Sequence, residues 1–451
     1  MSDRADAVRA LAAVLPATAA ADDCGHLQIG GCDVLALAGE FGTPLYVYDE
    51  ETIRRNCRAF RAEFDRALPG TEVQYAAKAY LNPAIAVLVA EEGLGMDVVS
   101  GGELFVARRS GFPMERVVFH GNNKSEAELT EALEAGVGRV VVDNFHELTL
   151  LDQIAQRRDV TQPVLLRVTP GVDAYTHEKT TTGIADSKFG FPLASGNAEE
   201  AVRLALEAGG LDLLGYHMHL GSPIFSIEPY VRGIEAMAGF AARMWDAFEY
   251  HWREFSVGGG FAVAYTPDQQ SPAITDYAQA ISRALHTACT THALPVPHIQ
   301  IEPGRSIVGR AGVALYTVGA RKEIEGVRTY VSVDGGMSDN IRPAMYGSRY
   351  VALAANRLHD AAEETVAIAG KFCESGDVLI RDAKLPRLQP GDLIALPASG
   401  AYNLAMESNY NLATRPAVVF VDHSTARLVR RRQTYEDLLA LETSAVVEER
   451  A

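Results

Sequence analysis

The chain has 451 residues, 48% of them apolar and 22% charged, which is enough to bury the cores of more than one domain. Acidic residues (58) outnumber basic ones (41) for a net charge of −17, and outside Arg430-Arg431-Arg432 the basic residues are thinly spread, so nucleic acid and anionic membrane surfaces are disfavoured as partners. No uncharged apolar run approaches the ~18 residues of a membrane span, and five cysteines (Cys24, Cys32, Cys57, Cys289, Cys373) without metal-ligand spacing read as free thiols in a reducing, cytoplasmic compartment, with no metal site.

From the N-terminus, Ala10 to Ala21 is apolar with small-residue patterns like the cleavage end of a leader, but Asp3, Asp6 and Pro16 favour a frayed alanine-rich helix. His26 to Tyr48 is strand-like in Leu35-Ala36 and in Leu45 to Tyr48. Residues 1–45 are therefore expected to form an N-terminal segment that partly joins a β domain built mainly from the far end of the chain.

Eight short apolar runs follow: Val73 to Ala77, Leu94 to Val99, Arg116 to Phe119, Arg139 to Val142, Val164 to Val168, Leu213 to Tyr216, Glu254 to Val257 and Ile299 to Ile301. Each is too short for a helix and rich in Val, Ile or Leu, as a strand buried on both faces should be. Helix-like stretches separate most of them, among them Pro83 to Glu92, Ser125 to Ala135, Phe145 to Gln156 and Ala198 to Ala208. Strand and helix alternating eight times predict a (β/α)8 barrel over residues 46–308.

In such barrels the loops after the strands build the site. The residues there are Lys78; Asp97 and Ser100; His120, Gly121 and Asn122; Asp143 and Asn144; Arg167; His217 and His219; Gly258, Gly259 and Gly260; Glu302, Gly304 and Arg305. Beyond about Gly309 the texture changes to short β-rich runs separated by Gly and Pro: Val313 to Val318, Thr329 to Val333, Thr365 to Ala369, Leu393 to Leu396, Ala417 to Val421 and Arg427 to Arg431. They predict an antiparallel β-sandwich or β-barrel over 309–451, so the fold class is α/β plus all-β.

A lysine at a barrel mouth can condense with an aldehyde, and burial would help its ammonium lose the proton. Three successive glycines let the backbone approach a ligand and offer N–H groups to an anion such as phosphate. His219 supplies a ring that can stack, and Glu302 can pair with a protonated ring nitrogen so that a pyridine acts as an electron sink. Arg305 can grip a phosphate or carboxylate in two places. Singly, each has an ordinary reading: a solvated lysine, a tight turn, a structural histidine. Together they point to pyridoxal 5′-phosphate rather than a dinucleotide, because no Gly-x-Gly-x-x-Gly follows a strand.

The motifs are Tyr75-Ala76-Ala77-Lys78-Ala79, His120-Gly121-Asn122-Asn123-Lys124, Asp186-Ser187-Lys188-Phe189-Gly190, His217-Met218-His219-Leu220-Gly221-Ser222 and Glu302-Pro303-Gly304-Arg305. The later part adds Asp334-Gly335-Gly336-Met337, Arg342, Tyr346-Gly347, Cys373-Glu374-Ser375-Gly376-Asp377 and Gly400-Ala401-Tyr402. Through these the chain resembles, over nearly its whole length, the barrel-type (fold type III) pyridoxal-phosphate decarboxylases, and most closely the diaminopimelate decarboxylases among them.

The resemblance implies that Lys78 carries the cofactor, that His219 stacks on its ring and that Glu302 binds its nitrogen. Ser222, Gly259, Gly260, Gly304, Arg305 and Tyr402 would surround the phosphate. Arg305, Arg342, Tyr346, Glu374 and Tyr402 would hold the substrate, and Cys373 would donate a proton from the partner subunit of a homodimer. The implied reaction is the carboxy-lyase step that converts meso-2,6-diaminopimelate to L-lysine and carbon dioxide in lysine biosynthesis.

Two departures from the family pattern bear on this: Pro223 stands where glutamine is usual, and Ala405-Met406-Glu407 replaces the usual Ser-Met-Ser or Ser-Met-Ala. They leave room for a paralogue acting on ornithine, lysine, arginine or a specialised-metabolism amino acid. A regulatory homologue without catalysis is disfavoured by the presence of Lys78, Glu302 and Cys373, and a racemase by Cys373 to Asp377.

Overall fold

A computed structural model describes residues 6–174, 182–184 and 186–443; residues 1–5 of the expected N-terminal segment and 444–451 of the expected β domain lie outside them. The chain divides into two compact units, one of Ile53–Val263 with Gln270–Gly309, the other of Met1–Thr52, Ala264–Gln269 and Arg310–Ala451. Among the described residues no helix is long and apolar enough to cross a membrane.

The first unit is a closed barrel of parallel strands: Glu72–Ala76, Gly95–Val98, Val117–Phe119, Arg139–Val142, Gln162–Thr169, Leu211–His217, Glu254–Ser256 and His298–Ile301. Each pairs with the next, and the last returns to the first through Gln300 beside Glu72 and Ile301 beside Val73. The turn from strand to helix is short because a polar residue stands ready to cap the helix. Asn82, Ser100, Ser125 and Asn144 each accept a hydrogen bond from the backbone N–H three residues on, and Ser125 with Glu128 closes a capping box. Each cap contributes about 1 kcal/mol and fixes where its loop ends.

The opposite end of the barrel is closed by polar groups. Arg139 donates to both oxygens of Glu254, at 2.6 and 2.7 Å, and reaches Glu72 at 3.3 Å. Gln300 donates to Glu254 at 2.8 Å and Gln74 to Glu72 at 3.1 Å. Aliphatic side chains take over above this layer, where Val118, Val141 and Leu165 pack with Leu214.

In the second unit the long strand Gly312–Ile324 joins two groups of strands. Its first half pairs with Leu45–Asp49 and Leu393–Leu396, its second with Arg328–Val333. The core of the first group holds Leu45, Val47, Val313, Leu315, Leu393, Ala417, Val419 and Val421, with Leu27, Ile29, Val34 and Leu37 from the N-terminal segment. This sheet is mixed rather than antiparallel: Leu45–Asp49 runs parallel to Ala417–Asp422, and Arg328–Val333 runs parallel to Glu364–Ala369.

Three further expectations differ from the structure. Leu35-Ala36 lies in a helix, Val34–Phe41, because Asp33 accepts the Leu35 N–H at 2.8 Å and caps it, turning Val34 and Leu37 inward at helical spacing. The Ala10 to Ala21 stretch is helical only at its start, in Asp6–Ala10; turns follow, and Ala20–Ala21 pairs with Leu27–Ile29. The barrel unit begins at Ile53 rather than at 46, since Leu45–Asp49 is bonded on both edges within the β sheet.

Candidate active site

Glu302 follows the eighth barrel strand and is 4% exposed. Burial alone would raise its pKa, but the imidazoles of His217 and His120, and hydrogen bonds from His217 and Ser256, hold it well below the ordinary carboxylate value. His217 Nε2 lies 3.2 Å from the carboxylate and Ser256 Oγ donates to it at 2.6 Å. A carboxylate has about four lone-pair directions, so two donors leave it able to accept a further proton-bearing group. An anion fixed in this way suits a protonated ring nitrogen, and that chemistry fits pyridoxal phosphate.

Lys78 sits in a one-turn helix, Ala77–Ala79, directly after the first strand. Its neighbours Ala77 and Ala79 are buried, while Lys78 itself is exposed in the single chain. Its charge is felt by the acidic groups behind it: burial pushes Asp97 up to about 8, partly offset by Lys78, and Glu103 is raised by burial against the same opposing influence.

The glycine triplet is shaped by close backbone packing. Gly258 has φ +75°, and a Cβ there would stand 2.4 Å from the Met218 carbonyl oxygen; one on Gly259 would stand 2.3 Å from that of Glu302. Two of the three amides serve the protein itself, Gly258 N–H donating to Ser256 Oγ and Gly259 N–H to His219 Nδ1, both at 3.2 Å. Gly260 is left as the amide of the triplet with no protein acceptor among the described residues, so the anion nest is narrower than expected. The bond from Gly259 fixes the His219 ring, and burial lowers its pKa far below 6.5, so it presents a neutral flat face. Ser222 Oγ accepts from Arg305 Nε at 3.2 Å, which brings a hydroxyl and a buried guanidinium together at the same barrel end.

In the β unit, Arg342 is 5% exposed and opens the helix Arg342–Tyr346. Its guanidinium lies 5.0 Å from the Tyr265 ring and 5.8 Å from the Tyr402 ring, and its Nε has no hydrogen-bond partner among the described residues. Tyr346 ends that helix and is partly buried. Cys373 and Glu374 are exposed, on a loop pinned from beneath by Asp377, whose carboxylate accepts the Met337 and Phe372 N–H groups at 2.7 and 2.9 Å. A cleft of about 560 Å³ in the same unit runs from Pro343 and Gly347 to Gly376 and Asp382, beside that loop.

Glu407 is a structural charge. Its side chain is 5% exposed and both oxygens are gripped by the Arg430 guanidinium, which also donates to the Pro416 carbonyl. Glu407→Ala is expected to cost about 3 kcal/mol, the low end for breaking a buried ion pair because Arg430 is partly solvated. Urea unfolding would read this loss, with turnover per folded molecule unchanged. Pro223 follows a cis bond to Ser222, and the next N–H, of Ile224, donates to the Gly260 carbonyl at 2.8 Å.

The barrel thus gathers Lys78, His219, Ser222, Gly259, Gly260, Glu302, Gly304 and Arg305 at the C-terminal ends of its strands, and the β unit groups Arg342 with Tyr402. Ser256 was not anticipated, although a serine closing an apolar strand in a barrel is the available signal. His120, His217 and Asp97 were visible as strand-end residues, but nothing in sequence indicated that they converge on Glu302.

Comparison with known proteins bears on all of this. Residues 50–309 match the family described as pyridoxal-dependent decarboxylase, pyridoxal binding domain. Diaminopimelate decarboxylase of Bacillus subtilis (strain 168) is 49% identical over 418 residues, covering 93% of this chain and 95% of that protein. The enzyme of that name from Mycobacterium tuberculosis (strain H37Rv) is 42% identical over 438 residues, 95% and 97% of the two chains. Among solved structures, diaminopimelate decarboxylase from M. jannaschii in complex with L-lysine superposes with a TM-score of 0.88 at 36% identity, over 94% of this chain and 98% of that one.

Proposed function

Because the chain belongs to the pyridoxal-dependent decarboxylases, and within them to the diaminopimelate decarboxylases, we propose that it removes one carboxylate of meso-2,6-diaminopimelate, giving L-lysine and carbon dioxide. The observation that carries this reading is the buried Glu302 anion, held by His217 and Ser256 at the barrel end that also bears Lys78.

Pyridoxal phosphate, when bound, supplies a ring that takes up the electron pair left behind as the carboxylate departs. The residues of this chain do the rest. Lys78 would hold the cofactor through its side-chain amine. Glu302 would pair with the protonated ring nitrogen, and His219 would offer its flat face to the ring. Arg305, Ser222, Gly260, Gly304 and Tyr402 would hold the phosphate, with Gly259 allowing the backbone to approach it. Cys373 returns a proton to the carbon that has lost its carboxylate.

Substrate selection rests on the far end of the molecule, which carries both a carboxylate and an ammonium. Arg342, with its unbonded Nε, suits that carboxylate, with Arg305, Tyr346 and Tyr402 as further partners, and Glu374 suits the ammonium. Lysine and ornithine lack the distal carboxylate, so binding either would leave a buried guanidinium unpaired, at roughly 3 to 5 kcal/mol or about 150- to 4,000-fold in selectivity. The exposure of Cys373 and Glu374, and the cleft beside their loop, support a homodimer in which each subunit lends these residues to its partner's site. A reducing cytoplasmic setting agrees with five unpaired cysteines.

The deciding experiment is carbon dioxide release by the pyridoxal-phosphate-loaded protein offered meso-diaminopimelate, L-ornithine, L-lysine and L-arginine side by side. Release from diaminopimelate, exceeding the others by about 100-fold or more, is expected; release from another amino acid, or from none, would replace this reading with a paralogue or a non-catalytic homologue.

A further inference from the structure

His120 is buried at 5% exposure behind the third barrel strand, and its Nε2 has no hydrogen-bond partner among the described residues. That nitrogen lies 3.7 Å from Asp97 Oδ1 and 3.7 Å from Glu302 Oε1, and the ring meets His217 edge-to-face at 4.9 Å. We propose that His120 is a positioning residue for the decarboxylation: its imidazole stands between Asp97 and Glu302, separates the two carboxyl groups, and so keeps the negative charge on Glu302. The proposal rests on the assignment of Glu302 to the cofactor ring nitrogen.

Two carboxyl groups that each come within 3.7 Å of one imidazole nitrogen in a dry interior oppose each other's ionisation, and in direct contact they would share one proton between them. What surrounds each decides where the charge goes. Glu302 has two donors, Ser256 and His217, whereas Asp97 is 1% exposed and its Oδ1 has no hydrogen-bond partner among the described residues. Lys78, Arg167, His217 and His219 face this cluster as basic groups, with Glu103 as the further acid. Lys78 is the one of these that would be freed when substrate takes its place on the cofactor, so the field on Asp97 would change during turnover. With the imidazole in place, a change at Asp97 is kept off the partner of the ring nitrogen.

The loop carrying His120 is built to hold the ring still. The buried Lys124 ammonium donates to the Gly121 carbonyl at 2.7 Å and to the Val141 carbonyl at 2.9 Å, and pairs with Glu147 at 2.7 Å. Asn144 Nδ2 donates to the Asn122 carbonyl at 3.1 Å. The backbone on the far side of His120 is thereby tied to the fourth strand and the helix after it, while the His120 N–H donates to the Val98 carbonyl at 2.7 Å.

The test uses full-length His120→Asn and His120→Gln, loaded with pyridoxal phosphate. The first readout is the pH titration of the bound cofactor's visible absorbance without substrate; the second is kcat and KM for diaminopimelate. The expected result is a midpoint displaced by about one pH unit, equivalent to about tenfold in the charge equilibrium, with kcat reduced about tenfold or more and KM within about threefold. A wild-type titration with kcat within about twofold overturns the proposal. So does failure of both variants to fold or to retain cofactor, which would make His120 a residue of barrel stability. The titration needs no substrate, so it decides the role of His120 even if the wild-type protein leaves diaminopimelate untouched.

Discussion

Lys78→Ala is expected to lose the visible absorbance of the covalently held cofactor and to reduce carbon dioxide release by at least about 10³-fold. The loss is large because this amine is the covalent anchor of the cofactor, and removal of a single positioned catalytic group typically costs 10²- to 10⁴-fold. Lys78 is exposed on a single turn of helix, so the change should leave the melting temperature near that of the wild type. Unchanged turnover would remove the lysine from the mechanism, and with it the proposed function.

Cys373→Ala should behave differently. Cys373 belongs to the β unit rather than the barrel, so the cofactor is expected to bind with its normal absorbance while turnover falls about 10²-fold or more, as for loss of a proton donor. A mixture of the Lys78→Ala and Cys373→Ala proteins, allowed to exchange subunits, tests whether sites are shared. Half the dimers would be hybrids with one intact site of two, so recovery toward ~25% of wild-type activity is expected from a two-fold symmetric assembly. A mixture that stays inactive would place Cys373 in the site of its own chain, or outside catalysis.

Much of this was legible in the amino-acid sequence because parallel barrel strands are buried on both faces. Val140, Val141 and Val142, or Leu165 and Leu166, cannot alternate with polar residues, so each run stands out, and the chemistry sits where the run stops. The helix starts were equally plain, since Ser125 and Glu128 spell out a capping box. The β unit was harder to read. The parallel neighbours Leu45–Asp49 and Ala417–Asp422 are joined by pairing across most of the chain, which no local pattern encodes. Strand Val378–Leu385 went unread because Arg381, Asp382 and Lys384 interrupt its apolar residues. At the site, residue types pointed to Lys78, His219 and Glu302, but only three dimensions show that Ser256 and His217 bond the same carboxylate, or that Glu407 finds Arg430.

The placement of Leu45–Asp49 also has a consequence for synthesis. This strand leaves the ribosome early, yet both of its neighbours, Gly312–Ile324 and Ala417–Asp422, are translated only after the entire barrel. At about 5–20 residues per second, it waits roughly 15 to 50 s for the first of them. During that time Leu45, Tyr46, Val47 and Tyr48 form an apolar segment with unpaired backbone, the kind of edge that recruits other nascent chains. The barrel can close while the ribosome is still working, but the sheet cannot, so Leu45–Asp49 stays an open edge until the last part of the chain has been made.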